Sequence, residues 1–294
     1  YFLYVAFLDL NAKTKNLTII NNLDIGNKTK EDIGDSFGAQ PLFYPQMRFP
    51  TKRISYSISD ACDARKRGRI SQALQRLEDE TSLVFFEANE GRISFFCKEM
   101  APPKPGEYFV AGEGGPTKLV NASNFYVIEK GMAQLMYEES RCDNYNIELH
   151  ELLHVFGFKH SPNTGSIMYN TTRCGQELTE DIVEYLNRLY EINSLPDLTF
   201  GEVEATKKGR FLDFNVEIRN YGLHRSEDID LILSSNGEGF KEFNLEGVDY
   251  GAGQVLRATN VELPSREIRE LRFVIEDGEE LNLENNEIVL RVQE

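Results

Sequence analysis

Residues 150–160 read HELLHVFGFKH and contain three of the four histidines of this 294-residue chain. An α-helix places side chains four residues apart on the same face, so His150 and His154 lie one turn apart. Glu151 lies on that same side. Gly157 can adopt the backbone conformation that ends a helix and turns the chain sharply. The turn brings His160 back, and the stretch therefore predicts three imidazoles gathered around one point.

Three imidazoles in this arrangement are a ligand set for zinc. Three protein ligands leave one position of a tetrahedral zinc open, which is the catalytic rather than the structural arrangement. Glu151 is then a candidate general base that is not itself a ligand. Met168 follows eight residues after His160, within the sequence SIMY at 166–169. The alternative is a helix with histidines on a polar face and no metal, and the agreement of ligands, base, turn and methionine favours the zinc site.

The pattern HExxHxxGxxH followed by a methionine turn resembles the metzincin zinc peptidases. Ser161 directly after the third histidine, and Met168-Tyr169 in the turn, look most like the matrixin branch. Some metzincins carry a tyrosine two residues after the methionine that helps to stabilise the transition state. Asn170 occupies that position here, so Tyr169 is not assigned this role.

The resemblance implies a zinc-dependent endopeptidase that hydrolyses internal peptide bonds of extracellular or cell-surface proteins. In such an enzyme zinc activates a water molecule and polarises the scissile carbonyl, and a glutamate acts as general base. One catalytic zinc is implied, since the upstream histidines of a second, structural zinc are missing. Calcium is a further expectation in this family, without assigned residues. The implied site residues are Glu151 as catalytic base, His150, His154 and His160 as metal ligands, and Met168 and Gly157 as structural support.

Two other functions remain as hypotheses. One is a catalytically vestigial metzincin that acts as an adhesion or binding module, which the acidic C-terminal part would suit. The presence of Glu151 argues against this hypothesis, because a site that no longer catalyses a reaction could lose its general base at little cost. The other is a zinc hydrolase acting on a non-peptide bond, which the methionine turn disfavours.

Composition and charge limit the class of partner. Hydrophobic residues make up 40% and charged residues 27% of the chain, as in soluble globular proteins. The formal net charge of −16 argues against nucleic acid, since phosphates would be repelled. The part from Leu195 onwards has 22 acidic and 11 basic residues and carries −11 of that charge. The expected partners are a protein or peptide substrate and, through the C-terminal part, a cell-surface or matrix partner.

The cysteines and glycosylation sequons predict an extracellular protein, secreted or membrane-anchored with its domains outside the cell. Cys62 follows the first strand and Cys97 ends the third, and the matrixin fold places these two strands side by side. Cys142 and Cys174 bracket the histidine helix and the methionine turn. The resemblance therefore implies the pairs Cys62–Cys97 and Cys142–Cys174. The alternative is four reduced, buried thiols. The Asn-x-Ser/Thr sequons are at Asn16, Asn27, Asn121 and Asn170.

The chain is expected to have three parts. Residues 1–41 form an N-terminal segment that is an anchor stub, a propeptide remnant or a linker; residues 1–10 are apolar but too short to span a bilayer. Residues 42–194 form an α+β metzincin catalytic domain with a twisted, mostly parallel sheet, one antiparallel edge and three helices. The sequence NSLPD at 193–197 marks the boundary. Residues 195–294 form an all-β, immunoglobulin-like sandwich.

The patterns along residues 50–191 predict the elements of the catalytic domain. Alternation in 54–58 predicts a strand, spacing in 70–77 an amphipathic helix, and 82–87 and 92–98 two further strands. Residues 108–111 read as a strand followed by a loop, GEGGP at 112–116, and residues 125–128 as the next strand. The helix that carries the histidines is expected to have a ligand face and an opposite apolar face. Thr179 is the expected N-cap of a closing helix that ends near Glu191.

Beyond the boundary at 193–197, the spacing of apolar residues changes from the period of an α-helix to that of a β-strand. Apolar and polar residues alternate in 212–219, and similar alternation appears in 271–275 and 288–292, so six or seven short strands are expected. The sequences NYG at 220–222 and ENNE at 284–287 resemble the cell-adhesion-related CARDB-type domains. This resemblance implies the CARDB-like β-sandwich domain at 195–294.

Overall fold

The computed structural model describes residues 41–98, 110–136 and 144–292, together with the backbone of residues 14–19. The chain divides into two compact units, one of Gly26–Ser194 and one that combines Tyr1–Ile25 with Leu195–Glu294. In the described part, no helix combines the length and the hydropathy needed to cross a membrane. In chain order the elements are β1 (Thr14–Ile19), β2 (Met47–Arg48), β3 (Arg53–Ile58), α1 (Ala64–Glu80), β4 (Val84–Glu87), β5 (Ile93–Cys97), β6 (Gly112–Asn121), β7 (Tyr126–Leu135), α2 (Asn146–Val155), α3 (Glu180–Glu191), β8 (Leu198–Lys208), β9 (Phe211–Asn220), β10 (Ile229–Ser235), β11 (Glu238–Leu245), β12 (Gly253–Glu262), β13 (Glu270–Glu276) and β14 (Glu287–Val292).

The unit Gly26–Ser194 is built on one mixed sheet. Strands β4, β3, β5 and β7 are parallel neighbours in that order, and β2 pairs in parallel with the start of β7. Strand β6 runs antiparallel along the opposite side of β7 and makes the only antiparallel pair of this sheet in the described residues. The expected mixed sheet with one antiparallel edge and three helices is therefore present.

Helix α1 follows from its cap and its apolar stripe. Asp63 Oδ1 accepts a hydrogen bond of 2.8 Å from the Lys66 amide and so satisfies one donor of the first turn. Ile70, Leu74 and Leu77 are buried on one side of the helix. Their burial fixes the helix against the core that also holds α2, and this core sets the position of the histidines.

A disulfide joins Cys62, which follows β3, to Cys97 at the end of β5. The two strands are parallel neighbours, so the predicted pair is confirmed. Cys142 lies outside the described residues, and its pairing with Cys174 stays a prediction.

The stretch at 112–116 is a strand, where a loop was expected. Gly112–Pro116 form the first half of β6 and pair with β7. A Cβ atom on Gly114 would lie 2.1 Å from the backbone oxygen of Glu151, so glycine is required because this strand runs against helix α2. Of the strand expected at 108–111, residues 108 and 109 lie outside the described residues. The strand expected at 125–128 is the start of the longer β7.

Helix α2 is buried on both of its expected faces. The apolar row is buried, with Leu152 and Leu153 at 0% exposure. The row with the histidines is buried too, since His150 is 6% and His154 9% exposed. Strand β6 covers this side, as the close approach of Gly114 to Glu151 indicates. The helix therefore holds its polar groups in a largely enclosed site.

Arg48 anchors the C-terminal end of helix α3. Its side chain is 1% exposed, and Nη1 donates to the carbonyl oxygens of Leu189 at 2.6 Å and Ile192 at 3.1 Å. The guanidinium carbon lies 4.4 Å from the ring centroid of Tyr190. The Tyr190 hydroxyl accepts a hydrogen bond from the amide of Phe49 at 2.9 Å. The carbonyl groups at the C-terminal end of a helix lack partners within the helix and attract a positive charge. The Arg48 guanidinium supplies both that charge and the hydrogen-bond donors.

Replacing Arg48 with Met should lower the free energy of unfolding by about 2–4 kcal/mol, because buried carbonyl oxygens lose their donor. Urea unfolding followed by circular dichroism measures the change. Arg53→Met is the matched control, since Arg53 is exposed and its described contact is with the Phe86 ring, 4.8 Å from the centroid. That contact is worth about 0.5–1 kcal/mol. Equal destabilisation by the two variants would contradict the anchoring role.

The second unit contains two antiparallel sheets. One holds β8, β9 and β12, and the other holds β10, β11, β13 and β14. Strand β1 passes from one sheet to the other, because its first half pairs with β8 and its second half with β14. Side chains of both sheets form one core, and the rings of Phe214 and Phe273 are 5.2 Å apart. The predicted β-sandwich is present, and residues 14–19 of the N-terminal segment contribute a strand to it.

Candidate metal centre

The turn after helix α2 has the hydrogen bonds of a glycine-terminated helix. The Gly157 amide donates to the carbonyl of His154 at 3.0 Å, and the Phe158 amide donates to Leu153 at 3.2 Å. Gly157 has a φ of +96°, and a Cβ there would lie 2.3 Å from Met47 Sδ. A side chain is excluded by both backbone conformation and space, so the sharp turn between His154 and His160 requires glycine at position 157.

The Nδ1 atoms of the two helical histidines are both occupied. His150 Nδ1 lies 2.7 Å from the carbonyl oxygen of Ile167, and His154 Nδ1 lies 2.7 Å from that of Phe158. A carbonyl oxygen can only accept, so both Nδ1 atoms carry a proton and donate. In the neutral rings Nε2 then has the free lone pair, and these two Nε2 atoms are 3.0 Å apart. The hydrogen bonds therefore orient both rings for metal binding.

His160 completes the cluster. Its ring centroid lies 5.3 Å from that of His150 and 4.9 Å from that of His154. One nitrogen from each histidine lies within 4.8 Å of the other two. Tetrahedral zinc with ligands at about 2.0–2.1 Å separates its nitrogen ligands by about 3.3 Å. The three residues fit a zinc ion, and they are the only such group of His, Cys, Asp or Glu in the described ranges.

The electrostatics of the site favour the ligand form of the histidines. The pKa of His150 is lowered to about 4, mainly by burial, and the neighbouring His154 and His160 act in the same direction. Burial also lowers the pKa of His154. Both rings are therefore neutral at neutral pH, as metal binding requires.

The pKa of Glu151 shifts in the opposite direction. Burial raises its pKa to about 8, and Glu113 and Glu148 act in the same direction. A divalent cation nearby would favour the charged form and lower this value. The site thus combines the neutral rings of His150 and His154 with one acidic group whose charge a bound cation would stabilise.

The methionine turn holds two of the three histidines, His160 and His150, in place. Met168 is 1% exposed, and its carbonyl oxygen accepts a hydrogen bond of 2.8 Å from the Ser161 amide, directly after His160. The preceding residue, Ile167, supplies the carbonyl for His150. The turn therefore fixes two of the three histidines through its backbone.

The loop after the methionine turn is fixed by residues that the sequence did not single out. Gln176 is buried, accepts from the Arg173 amide at 2.8 Å and donates to the Thr171 carbonyl at 2.9 Å. Asn146, the first residue of α2, donates to the Arg173 carbonyl at 2.9 Å. Their amide side chains, which can both donate and accept, were the only indication available in the sequence.

The sequence also did not indicate the segment just before the sheet. Phe43 donates its amide to the Gly157 carbonyl at 2.8 Å, and its ring centroid lies 6.2 Å from that of His154. The Lys159 amide donates to the Pro41 carbonyl at 2.6 Å, and Lys159 Nζ lies 5.8 Å from the Phe43 ring centroid. Residues 41–43 therefore line the turn that carries His160.

The sequence comparisons identify relatives of the unit that holds this site. The family model described as Matrixin matches residues 48–191. The chain is 26% identical over 216 residues to "Metalloendoproteinase 2-MMP" of Arabidopsis thaliana. That alignment covers 67% of this chain and 57% of the relative, so the chain spans little more than half of that protein. These matches agree with the matrixin resemblance of the histidine motif.

Two solved structures show more distant likenesses. One is the CARDB domain of the PF1109 protein from Pyrococcus furiosus in complex with di-metal ions, at 18% identity and a TM-score of 0.28, covering 33% of this chain and 88% of that chain. The other is High choriolytic enzyme 1, a hatching-enzyme zinc-protease from the medaka fish Oryzias latipes, at 20% identity and a TM-score of 0.25, covering 38% and 46%. Neither likeness is close enough to fix the fold of this chain.

Proposed function

Starting from a chain whose residues 48–191 are matrixin-like, we propose that it is a zinc-dependent endopeptidase acting on internal peptide bonds of extracellular or cell-surface proteins. The observation that carries the proposal is the convergence of His150, His154 and His160 within 4.8 Å. Glu151 supports it, because a buried carboxyl group on the same helix is available for proton transfer. We assign His150, His154 and His160 as the zinc ligands and Glu151 as the catalytic base.

Zinc held by these residues would supply a Lewis acid that activates water and polarises the scissile carbonyl. Glu151 would take the proton of the attacking water and return it to the leaving amine. The hydrogen bonds from Nδ1 to Ile167 and Phe158 keep the His150 and His154 rings from rotating during this cycle.

Strand β6 is the proposed binding edge for the substrate. It pairs with β7 on one side, and no described strand pairs with its other side. An extended peptide can add to such an edge through main-chain hydrogen bonds. Because Gly112 and Gly114 approach Glu151 closely, a peptide on this edge would pass beside the catalytic base.

The remaining assignments are proposals of the same kind. We assign residues 42–194 to the catalytic domain and residues 195–294 to a CARDB-like, immunoglobulin-like sandwich that binds a cell-surface or matrix partner. The disulfide between Cys62 and Cys97 supports an extracellular location, secreted or membrane-anchored, because disulfides persist in oxidising compartments.

Cleavage of peptides that are blocked at both termini tests the proposed reaction. The zinc-loaded chain should cut them internally, lose this activity on chelation and regain it with one equivalent of zinc per chain. Mass spectrometry of the products identifies the cleaved bonds. Absence of cleavage across a broad library by the zinc-loaded chain would contradict the proposal and favour the vestigial binding module.

A further inference from the structure

The loop between β13 and β14 folds back onto the start of β8. The Leu281 amide donates to the Pro196 carbonyl at 2.9 Å. The Leu198 amide donates to Glu280 Oε2 at 2.6 Å, and Asn285 Nδ2 donates to Asp197 Oδ1 at 3.0 Å. The loop is therefore fixed in place at one end of the sandwich.

This loop contains buried acceptors that lack donors. Both carboxylate oxygens of Asp277 are buried and have no hydrogen-bond partner among the described residues, and the same holds for Oδ1 of Asn285 and Oδ1 of Asn286. Asn286 is 5% exposed. An unsatisfied buried polar atom costs free energy, so four acceptor oxygens in one loop indicate that a hydrogen-bond donor or a cation occupies the space between them and solvent.

The orientation of the two amides is set by their neighbours. Asn286 Nδ2 donates to Glu280 Oε1 at 2.7 Å, and Asn285 Nδ2 donates to Asp197. A flip of either amide would place its oxygen against a carboxylate oxygen. Asn220 of the same unit shows the contrast, because its Oδ1 accepts from the Asp197 and Gly222 amides and its Nδ2 donates to two carbonyls.

The negative charge of the loop is also not balanced by a positively charged side chain among the described residues. No ion pair between described residues includes Asp277 or Glu280. Burial raises the pKa of Glu280 to about 7, and the carboxyl groups of Asp277 and Asp197 act in the same direction. Buried carboxylates are stable when paired or when they coordinate a metal.

We propose that this loop is a binding site for a divalent cation of the calcium type, with the carboxylates of Asp277 and Glu280 and the amide oxygens of Asn285 and Asn286 as ligands. All four groups offer oxygen and none offers nitrogen or sulfur. Calcium takes six to eight oxygen ligands in flexible geometry, including carboxylates and Asn carbonyls, whereas magnesium demands a near-ideal octahedron. Backbone carbonyls or water would complete the shell.

Calcium titration of the full chain, with one equivalent of zinc kept bound, tests the site. Calorimetry should show one calcium bound per chain, and saturation should raise the melting temperature of the sandwich by about 5 °C. Asp277→Asn should abolish this gain. Glu279→Gln is the matched control, because Glu279 lies in the same loop and is exposed, and it should bind calcium as the parent does.

The stability of calcium-free Asp277→Asn separates a ligand from a merely structural residue. A ligand role predicts that this variant melts at the same or a higher temperature than the calcium-free parent, because an uncompensated buried charge is removed. A lower melting temperature, an unshifted parent in millimolar calcium, or a variant that binds like the parent would each overturn the proposal. The site lies in the sandwich, so these outcomes are independent of peptide cleavage.

Discussion

Glu151→Gln should lower the rate of peptide cleavage by about three orders of magnitude while zinc content stays at the parental level. Glutamine keeps the size of the side chain but cannot accept the proton of the attacking water. Loss of a general base typically costs a factor of 10² to 10⁴, and three orders of magnitude correspond to about 4 kcal/mol in the barrier. Substrate affinity should be largely retained, since the variant alters neither the histidines nor strand β6.

Glu148→Gln is the matched control for this variant. Glu148 is buried on the same helix at 4% exposure, so its replacement also removes a buried carboxyl group close to the site. Cleavage within tenfold of the parent is expected for Glu148→Gln. If zinc-loaded Glu151→Gln also cleaved within tenfold of the parent, Glu151 would not be the base. If the parent were as inactive as the variant, the vestigial binding module would be favoured.

Gly114→Ala should reduce cleavage by about a hundredfold. The added Cβ would lie 2.1 Å from the backbone oxygen of Glu151, so either β6 or helix α2 must move. Overpacking of this kind costs about 1–3 kcal/mol in stability, and a displacement of about 1 Å at a catalytic group can lower the rate by about 10². Peptide cleavage and thermal unfolding are measured on the same preparation.

Gly115→Ala provides the control at the next residue of the same strand. A Cβ on Gly115 would meet no atom within 4 Å, so Glu151 keeps its position, the melting temperature should match that of the parent, and any loss of cleavage should be much smaller than that of Gly114→Ala. A Gly114→Ala protein with parental activity would show that β6 does not position Glu151. Equal losses in both variants would indicate a general weakening of the strand.

The centre of the fold could be predicted from sequence because its determinants are local. The spacing of His150 and His154, the helix stop at Gly157 and the return to His160 are properties of eleven consecutive residues. The mostly parallel sheet with one antiparallel edge could be predicted only through the matrixin resemblance, which also supplied the pairing of Cys62 with Cys97. The alternation in 212–219 was enough to predict a sandwich but not which strands pair.

The features that sequence reasoning missed depend on contacts between distant residues. The glycines at 112–115 look like a loop until β6 is placed against helix α2, where a side chain at Gly114 would overlap Glu151. Arg48 looks like an ordinary surface cation until the end of helix α3 surrounds it, 141 residues later in the chain. Strand β1 gives only weak periodicity, because its place is set by pairing with β8 and β14.

The buried acceptor oxygens around Asp277 could not be predicted from the sequence for a related reason. Acidic residues are common along the whole C-terminal part, so composition does not separate a ligand from a solvated side chain. Burial without a hydrogen-bond donor makes that distinction, and burial is a property of the folded loop.

The zinc that His150, His154 and His160 are proposed to hold is the centre of the proposed reaction. X-ray absorption at the zinc edge, on a chain with one equivalent of zinc, reports the ligand atoms. The predicted result is three imidazole nitrogens and one further light atom at about 2.0–2.1 Å, with His154→Ala losing stoichiometric zinc. A shell that contains cysteine sulfur at about 2.3 Å, or full zinc binding by the His154→Ala variant, would contradict it.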